Sequence, residues 1–243
     1  MLTYKINATQ STNSYLKELV KKIGTEEEII VVTNNQTHGR GQMGALWQSQ
    51  VGKSLTFSVF KFGMGMSIHH HFFLSMAVSL AVKKVLQFQN VPDVCIKWPN
   101  DILSANKKIC GILIENILHK SVITGSIIGI GLNVNEDSFA HLPKATSMKI
   151  RTGKKYDLEK ILEEIVASID FYFAFLKEKR FDELNALYLL QLYRKDQESV
   201  FSTSDGVHFN GIIRNITTSG KLQVEMENKK LQEFDLKEIT IVY

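Results

Sequence analysis

The hydrophobic positions repeat with two different spacings along the chain, so the sequence predicts both helices and strands. Leu16, Leu19, Val20 and Ile23 fall on one helical face, and this first helix is expected to end at Gly24. The same spacing predicts three more helices, over 68–88, 157–179 and about 181–193. Alternating or β-branched runs predict strands over about 2–6, 29–33, 54–60, 94–98 and 124–135, with one more entered through 107–111.

The last part of the chain has a different pattern from the rest. Beyond residue 198 the predicted strands are short, and they are separated by turns at Asp205-Gly206, Ser219-Gly220 and Asn228-Lys229. Such a series of short strands and turns is typical of a small β-barrel. We therefore predict a main domain over 1–194 and a small β domain over 195–243.

Composition and charge exclude several classes of protein. Of the 243 residues, 44% are hydrophobic and 22% are charged, as is ordinary for a soluble globular protein. The net charge of +4 is not gathered into a run of like charges, so neither a nucleic-acid-binding arm nor a membrane-binding patch is expected. Cys95 and Cys110 lie in apolar contexts without metal-ligand spacing, which predicts buried thiols. The N-terminus has no signal-peptide core, and we expect a cytoplasmic protein.

The stretch richest in candidate chemistry is HGRGQMGALW, residues 38–47. It belongs to about twenty residues without periodicity between two predicted strands, and long irregular segments of this kind are usually functional. Gly39, Gly41 and Gly44 let the backbone turn tightly and direct N–H groups at an anion, and Arg40 adds a positive charge. Taken alone, a plain surface loop is the commoner explanation of three glycines in six residues.

Three further stretches each have a structural and a functional explanation. They are the polar residues 11–13 before the first helix, KWPND at 97–101, and the glycines 129 and 131 on one face of a strand. The first can cap the helix or bind a ligand, and the second can form a turn or a site. The two glycines leave room for a flat ligand against the backbone. The histidines at 69–71 are not expected to bind a metal ion, because consecutive helical residues point in different directions.

Together these stretches resemble the biotin protein ligases, which attach biotin to carboxylase carrier domains. The match lies in the order and spacing of STN (11–13), QTHGRGQMGALW (36–47), KWPND (97–101), KICGILIE (108–115) and GIGLNVN (129–135). The resemblance implies an α+β fold, with a mixed, largely antiparallel sheet and flanking helices similar to class II aminoacyl-tRNA synthetases, followed by an SH3-like barrel. Because the first predicted strand begins almost at Met1, we expect a short form without an N-terminal DNA-binding domain.

The resemblance also implies roles for individual residues. The catalytic residues would be Arg40, Lys97 and Lys108. The biotin site would be lined by Ser11, Thr12, Asn13, Gln36, Gly39, Arg40, Gly41, Gln42, Lys108, Gly111, Gly129 and Gly131. The ATP site would be formed by Trp47, Lys97, Asn100, Asp101 and Asn133. In that site Trp47 would lie against the adenine, Asn133 would hydrogen-bond to it, and Asp101 would bind Mg²⁺.

The implied reaction joins biotin and ATP into biotinyl-5′-AMP, which a lysine of a biotin carboxyl carrier domain then attacks. Two unit negative charges about 3.5 Å apart repel by roughly 5 kcal/mol at an effective dielectric constant near 20, so the first step needs cations. Both attacks come from substrates, which agrees with the lack of a recognisable Ser/His/Asp or Cys/His arrangement in the sequence. DNA and membranes are not expected as partners, and a homodimer is kept as an alternative to a monomer.

One departure from the family pattern concerns the glycine-rich stretch. Gln42 and Ala45 stand where the family usually has arginines, so we expect a weaker hold on the adenylate, since charge-assisted hydrogen bonds are the stronger ones. Two other functions remain as alternatives. A lipoate or octanoate ligase shares the fold, but KWPND and the glycine-arginine stretch favour biotin. A non-catalytic biotin- or nucleotide-binding module would not need Lys97, Lys108 and Asp101.

Overall fold

A large, mostly antiparallel sheet forms the centre of the fold, in a computed structural model that describes residues 1–242. The first nine strands are β1 (Leu2–Thr9), β2 (Ile29–Gln36), β3 (Gly39–Arg40), β4 (Leu46–Trp47), β5 (Leu55–Ser67), β6 (Val94–Lys97), β7 (Asp101–Ser104), β8 (Lys107–His119) and β9 (Val122–Leu132). All except β3 and β4 join one seven-stranded sheet in the order β1-β2-β5-β9-β8-β7-β6. Its neighbours are antiparallel except for β1 and β2. The predicted mixed, largely antiparallel sheet is therefore confirmed.

In the described residues, five helices accompany the strands and cover both faces of the large sheet. They are α1 (Thr12–Ile23), α2 (Phe72–Phe88), α3 (Met148–Thr152), α4 (Leu158–Lys177) and α5 (Phe181–Leu189). Helix α1 packs Leu16 and Val20 against Ile29 and Ile127 on one face. Helices α2, α4 and α5 belong to the larger core on the other face. Successive residues of a strand point to opposite faces of the sheet, so apolar residues of the central strands contribute to both cores.

Helix α2 and the turn before it, Ile68–Phe88, are long and apolar enough to cross a membrane. In the protein, 72% of the most apolar window of this segment is buried. It packs against α4 and α5 and against the large sheet. Its apolar character is thus explained by its place in the core, since a central helix surrounded by other elements is hydrophobic on all sides.

Many element ends lie close to the predicted positions, but several elements differ. Strand β5 continues to Ser67, beyond its predicted end at residue 60. Gly24 ends α1 with a left-handed φ of 58°, and the Asp157 carboxylate caps α4 as acceptor from two backbone N–H groups. The predicted helix over 181–193 ends earlier, at Leu189, and the short helix α3 was not predicted. The stretch after β2 is not wholly irregular, because β3 and β4 pair around the 3-10 turn Gln42–Gly44.

The C-terminal strands form a second, separate sheet. They are β10 (Glu198–Thr203), β11 (His208–Ile216), β12 (Leu222–Met226), β13 (Leu231–Phe234) and β14 (Ile239–Ile241), in the order β13-β12-β11-β10-β14. The sheet is open, with β13 and β14 at its edges, so the predicted closed β-barrel is not seen in residues 1–242. Its inner residues Phe201, Ile213 and Val224 share a core with the main sheet's helices. At Gly220, where φ is +91°, the carbonyl accepts a buried hydrogen bond of 2.8 Å from Trp98 Nε1. The C-terminal sheet is thus docked directly on the KWPND segment.

Candidate functional site

One cleft of about 290 Å³ brings the singled-out stretches together. It lies at the N-terminal end of α1, beneath the β3–β4 hairpin, and strands of the C-terminal sheet border it from the other side. The predicted residues that line it are Ser11, Thr12, Asn13, Gln36, Arg40, Gly41, Gln42, Trp47, Lys97, Asn100, Asp101, Lys108, Gly111, Gly129 and Gly131. Gly39 and Asn133 were also predicted to belong to the site, but they do not border this cleft. Segments more than a hundred residues apart thus meet at one place.

A buried network of hydrogen bonds lies at the start of α1. Thr12 donates to Gln36 Oε1 through its backbone N–H, at 2.8 Å, and through its hydroxyl, at 3.1 Å. The Ser58 hydroxyl lies 2.7 Å from Thr12 Oγ1 and 2.6 Å from Asn13 Oδ1, and because it carries one hydrogen it donates to one of these oxygens at a time. Ser11 stands at the N-cap position of α1, yet its side chain makes no capping hydrogen bond. The capping explanation therefore does not account for Ser11.

The same network continues to the glycine-rich stretch through Glu115. Asn13 Nδ2 donates to Glu115 Oε2 at 2.9 Å, and Arg40 Nη2 donates to Glu115 Oε1 at 3.2 Å. Arg40 Nη1 donates to Ser14 Oγ at 3.0 Å. Lys17 Nζ lies farther from the carboxylate, at 3.8 Å. The Arg40 side chain is thus held between α1 and β8 at the edge of the cleft.

The two glycines of β9 accommodate side chains of this same chain. A Cβ atom at Gly129 would lie 2.3 Å from Asn13 Oδ1, and one at Gly131 would lie 2.3 Å from the indole of Trp47. Gly111 on β8 contacts the six-membered ring of that indole, since a Cβ at Gly111 would lie 3.1 Å from Trp47 Cζ3. The flat group beside Gly131 is therefore Trp47 itself. Direct contact of Gly129 or Gly131 with a ligand stays a prediction.

The cationic side of the cleft is formed by lysines and by the turn after β6. Lys108 Nζ lies 2.7 Å from Asp101 Oδ1 and 5.7 Å from the centre of the Trp47 ring. Asn100 is fixed to β8, since its Nδ2 donates to the Ile112 carbonyl at 2.9 Å and its carbonyl accepts from the Ile112 N–H at 3.0 Å. This pairing orients the turn so that Lys97, Asn100 and Asp101 all border the cleft.

Clusters of metal-ligating side chains and reactive thiols are not found in the described residues. Among residues 1–242, no three His, Cys, Asp or Glu side chains come together closely enough to hold a metal ion. Cys110 is buried as expected, whereas Cys95 is only half-buried. Burial raises the pKa of the Cys95 thiol to about 11 and the pKa of Cys110 further still. Both thiols are therefore protonated near neutral pH and are poor nucleophiles.

Three buried polar atoms close to the C-terminal end of β9 have no hydrogen-bond partner within residues 1–242. They are Trp47 Nε1, Asn133 Oδ1 and Thr146 Oγ1. Asn133 Nδ2 donates to the Thr146 carbonyl at 3.0 Å, which fixes the amide of Asn133 so that its oxygen is the unpaired atom. An unpaired buried polar atom in a native protein needs an explanation, and a ligand that pairs with it is one.

Sequence reasoning missed several residues that shape the site. Glu115 stood at the end of a recognised segment but had no assigned role, and Ser58 is a small polar residue inside an apolar strand. Thr146 carries no sequence signal. Lys237 reaches from the C-terminal sheet to donate to the Met43 carbonyl at 2.8 Å, and it lines the cleft. Each of these contacts joins segments that are distant in sequence.

Comparison with known proteins agrees with this arrangement. The model of the biotin/lipoate A/B protein ligase family matches residues 6–133, which is more than half of the chain. The chain belongs to this family. Four of the five segments that border or adjoin the cleft lie wholly within the matched residues, and the fifth, 129–135, begins inside them.

Similar proteins within this family include both ligases and ligase-repressors. The bifunctional ligase/repressor BirA of Bacillus spizizenii is 33% identical over 165 residues, covering 66% of this chain and 49% of that protein. A biotin–[acetyl-CoA-carboxylase] ligase of Paracoccus denitrificans is 28% identical over 221 residues, covering 88% and 90%. The chain thus spans about half the length of the first of these relatives and most of the second.

A solved structure supports the likeness in fold. Biotin protein ligase from Aquifex aeolicus, in complex with biotin and ATP, superimposes with a TM-score of 0.80 at 25% sequence identity. The superposition covers 99% of this chain and 98% of that one, so it includes the C-terminal sheet as well as the large sheet.

Proposed function

We propose that the chain activates biotin with ATP to form biotinyl-5′-AMP and then transfers biotin to a lysine of a biotin carboxyl carrier domain. The observation that carries this proposal is the cleft, where Arg40, Lys97 and Lys108 border the same space as the buried polar network of α1. Membership of the family and the named activity of the Paracoccus relative point in the same direction.

The two ends of the cleft fit the two substrates. The uncharged, hydrogen-bonding head group of biotin fits the end lined by Ser11, Thr12 and Gln36. The adenine fits the end with Trp47, where Asn133 Oδ1 is a buried acceptor without a partner. The biotin carboxylate would then meet the α-phosphate between these ends. Gly39 and Asn133 do not border the cleft, so their contact with the substrates remains part of the proposal.

The chemistry requires positive charge rather than a protein nucleophile. Bringing two anions to about 3.5 Å costs roughly 5 kcal/mol at an effective dielectric constant near 20. Arg40, Lys97 and Lys108 can offset this cost because they border the cleft in which the anions would meet. The carrier lysine would then attack the mixed anhydride and release AMP, so no covalent intermediate with the protein is needed.

The residues present fit a magnesium ion that is carried mainly by the nucleotide. Mg²⁺ in nucleotide sites is usually held by substrate phosphates with one or two carboxylates and water. Asp101 is the carboxylate that borders the cleft, and its Oδ1 is already paired with Lys108. When bound, the ion would supply additional positive charge at the phosphates. Asp101 as its ligand remains part of the proposal.

Other features of the protein are inferred from less specific observations. We infer that the C-terminal five strands correspond to the SH3-like domain of the family, supported by their order and by their separate sheet, with a domain boundary near residues 194–195. We also infer a cytoplasmic location and a carrier domain as the main macromolecular partner. We also infer that the protein does not bind DNA, whereas a homodimer remains an alternative to a monomer.

Mass spectrometry of products tests the proposed function directly. The purified protein is incubated with Mg-ATP and either biotin or lipoate, without a carrier. Biotinyl-AMP alone is expected, whereas lipoyl-AMP would support the lipoate or octanoate ligase. Tight biotin binding without any adenylate would support the binding module. In the Lys108→Met variant we expect adenylate formation to fall at least a hundredfold while biotin still binds, since Lys108 would act on the developing charge.

A further inference from the structure

We propose that Glu115 is a positioning residue that holds Arg40 in place at the edge of the cleft, an inference that rests on the proposed function. Glu115 itself does not border the cleft, whereas Arg40 does. The two are joined by the ion pair between Glu115 Oε1 and Arg40 Nη2, at 3.2 Å. Glu115 would therefore act on the reaction through Arg40 and not by touching the substrates.

The need for such a residue follows from the exposure of Arg40. Its side chain is 47% exposed, and a long exposed side chain samples many rotamers unless it is held. The Glu115 carboxylate is only 20% exposed, so its interactions are less screened by solvent than those of a surface pair. Together with the hydrogen bond to Ser14, the ion pair holds two of the guanidinium nitrogens of Arg40 in place. The remaining N–H groups of the guanidinium are left to donate to a ligand.

Glu115 also connects Arg40 to the polar residues at the end of the cleft near α1. Its second oxygen accepts from Asn13 Nδ2 at 2.9 Å, and Asn13 Oδ1 accepts from Ser58. Ser58 in turn contacts Thr12, which donates to Gln36. A continuous series of hydrogen bonds therefore runs from the proposed head-group site to the glycine-rich stretch. The hydrogen-bonded arrangement of Thr12 and Gln36 therefore favours the observed orientation of Glu115 and hence of Arg40.

Lys17 provides a matched control for this proposal. It lies one turn after Asn13 on α1 and is the other cation near Glu115, at 3.8 Å. Its side chain is 61% exposed and does not border the cleft. If Glu115 acted only by balancing charge on α1, then the loss of Lys17 would matter as much as the loss of the Arg40 contact.

The experiment is a double-mutant cycle on adenylate formation with Glu115→Gln, Arg40→Met and the combined variant. Glutamine keeps the size and one acceptor oxygen but removes the charge. We expect Glu115→Gln to slow biotinyl-AMP formation about five- to twentyfold, Arg40→Met to slow it more, and the double variant to equal Arg40→Met. Lys17→Met should stay within twofold of the wild type. Full additivity of the two changes, or a wild-type rate for Glu115→Gln, would overturn the proposal.

A second readout does not depend on turnover. Phenylglyoxal modifies accessible arginines, and peptide mass spectrometry gives the rate of modification at Arg40. This rate should rise at least threefold in Glu115→Gln and stay unchanged in Lys17→Met. An unchanged rate in Glu115→Gln would contradict the contact even if the cycle were non-additive. If the wild type forms no adenylate, the proposed function fails, and the modification rates alone then decide whether Glu115 holds Arg40.

Discussion

The two ends of the cleft differ in how well their polar groups are paired. At the end near α1, Thr12, Asn13, Gln36 and Ser58 hydrogen-bond to one another. Near the other end, the buried atoms Trp47 Nε1, Asn133 Oδ1 and Thr146 Oγ1 have no partner within residues 1–242, although of these three residues only Trp47 borders the cleft. An unpaired buried donor or acceptor costs about 1–3 kcal/mol.

This difference indicates that the two ends are built for ligands in different ways. The end near α1 is complete without a ligand, so its geometry is fixed in advance. The end near Trp47 holds unpaired groups whose cost a ligand can relieve, so binding there should stabilise the protein more per contact. Four substitutions test this comparison, and each has a different expected effect on the two ends.

The largest effect is expected from Gly129→Ala, which disrupts the hydrogen-bonded end of the cleft near α1. The new methyl group would lie 2.3 Å from Asn13 Oδ1, so Asn13 must move away from Ser58. Overpacking costs typically about 1–3 kcal/mol and a lost hydrogen bond about 0.5–1.5 kcal/mol, so the free energy of unfolding should fall by about 2–4 kcal/mol. Urea denaturation measures this fall, and calorimetry should show weaker biotin binding. Biotin affinity at the wild-type level would contradict the assignment of this end.

Gly131→Ala is the matching substitution at the unpaired end. Its methyl group would lie 2.3 Å from the Trp47 indole, which must leave its place against β9. We expect ATP affinity to fall at least tenfold, equivalent to about 1.4 kcal/mol, while biotin affinity changes less than threefold. Calorimetric titration with each ligand separately gives both values. If both variants weakened both ligands equally, the division of the cleft into two ends would be wrong.

Thr146→Val tests the unpaired polar groups near Trp47 with a smaller change in structure. Valine has nearly the same shape as threonine but lacks the hydroxyl, which is buried and unpaired here. Removing a buried unpaired hydroxyl should raise the free energy of unfolding of the ligand-free protein by up to about 1 kcal/mol. The stabilisation that ATP adds in a thermal melt should shrink if the hydroxyl pairs with the nucleotide. Destabilisation of the ligand-free protein would indicate that Thr146 Oγ1 is paired after all.

The smallest effect is expected from Lys237→Met, which separates the C-terminal sheet from the glycine-rich stretch. It removes the hydrogen bond to the Met43 carbonyl, an exposed contact worth less than about 1 kcal/mol. Trypsin should then cut after Arg40 about two- to fivefold faster, because local opening near Met43 becomes easier. Lys230→Met serves as the control, since that exposed lysine of the same sheet region does not line the cleft. Equal cutting rates in the two variants would exclude a role for Lys237 in holding this stretch.

Much of the local structure could be predicted from the sequence because it depends on neighbouring residues. Helix α1 and its end at Gly24, the strands around the glycine-rich stretch, and the C-terminal turns follow from apolar spacing and turn chemistry. The early end of α5 and the short helix α3 did not follow, because short helices depend on packing more than on their own propensity. The β3–β4 pairing was missed because each strand is only two residues long.

The sequence by itself determined which residues are candidates for the site, whereas only the tertiary structure decided which of them meet. The glycines, Arg40 and the lysines stand out by type and spacing within short segments. Asn13 and Glu115 are 102 residues apart and become neighbours only because β8 and β9 lie side by side in the sheet beneath α1. Lys237 and Met43 are 194 residues apart and meet because the second sheet docks on the first. Local periodicity reports which face of an element is buried, but it contains no information about the order in which distant strands pair.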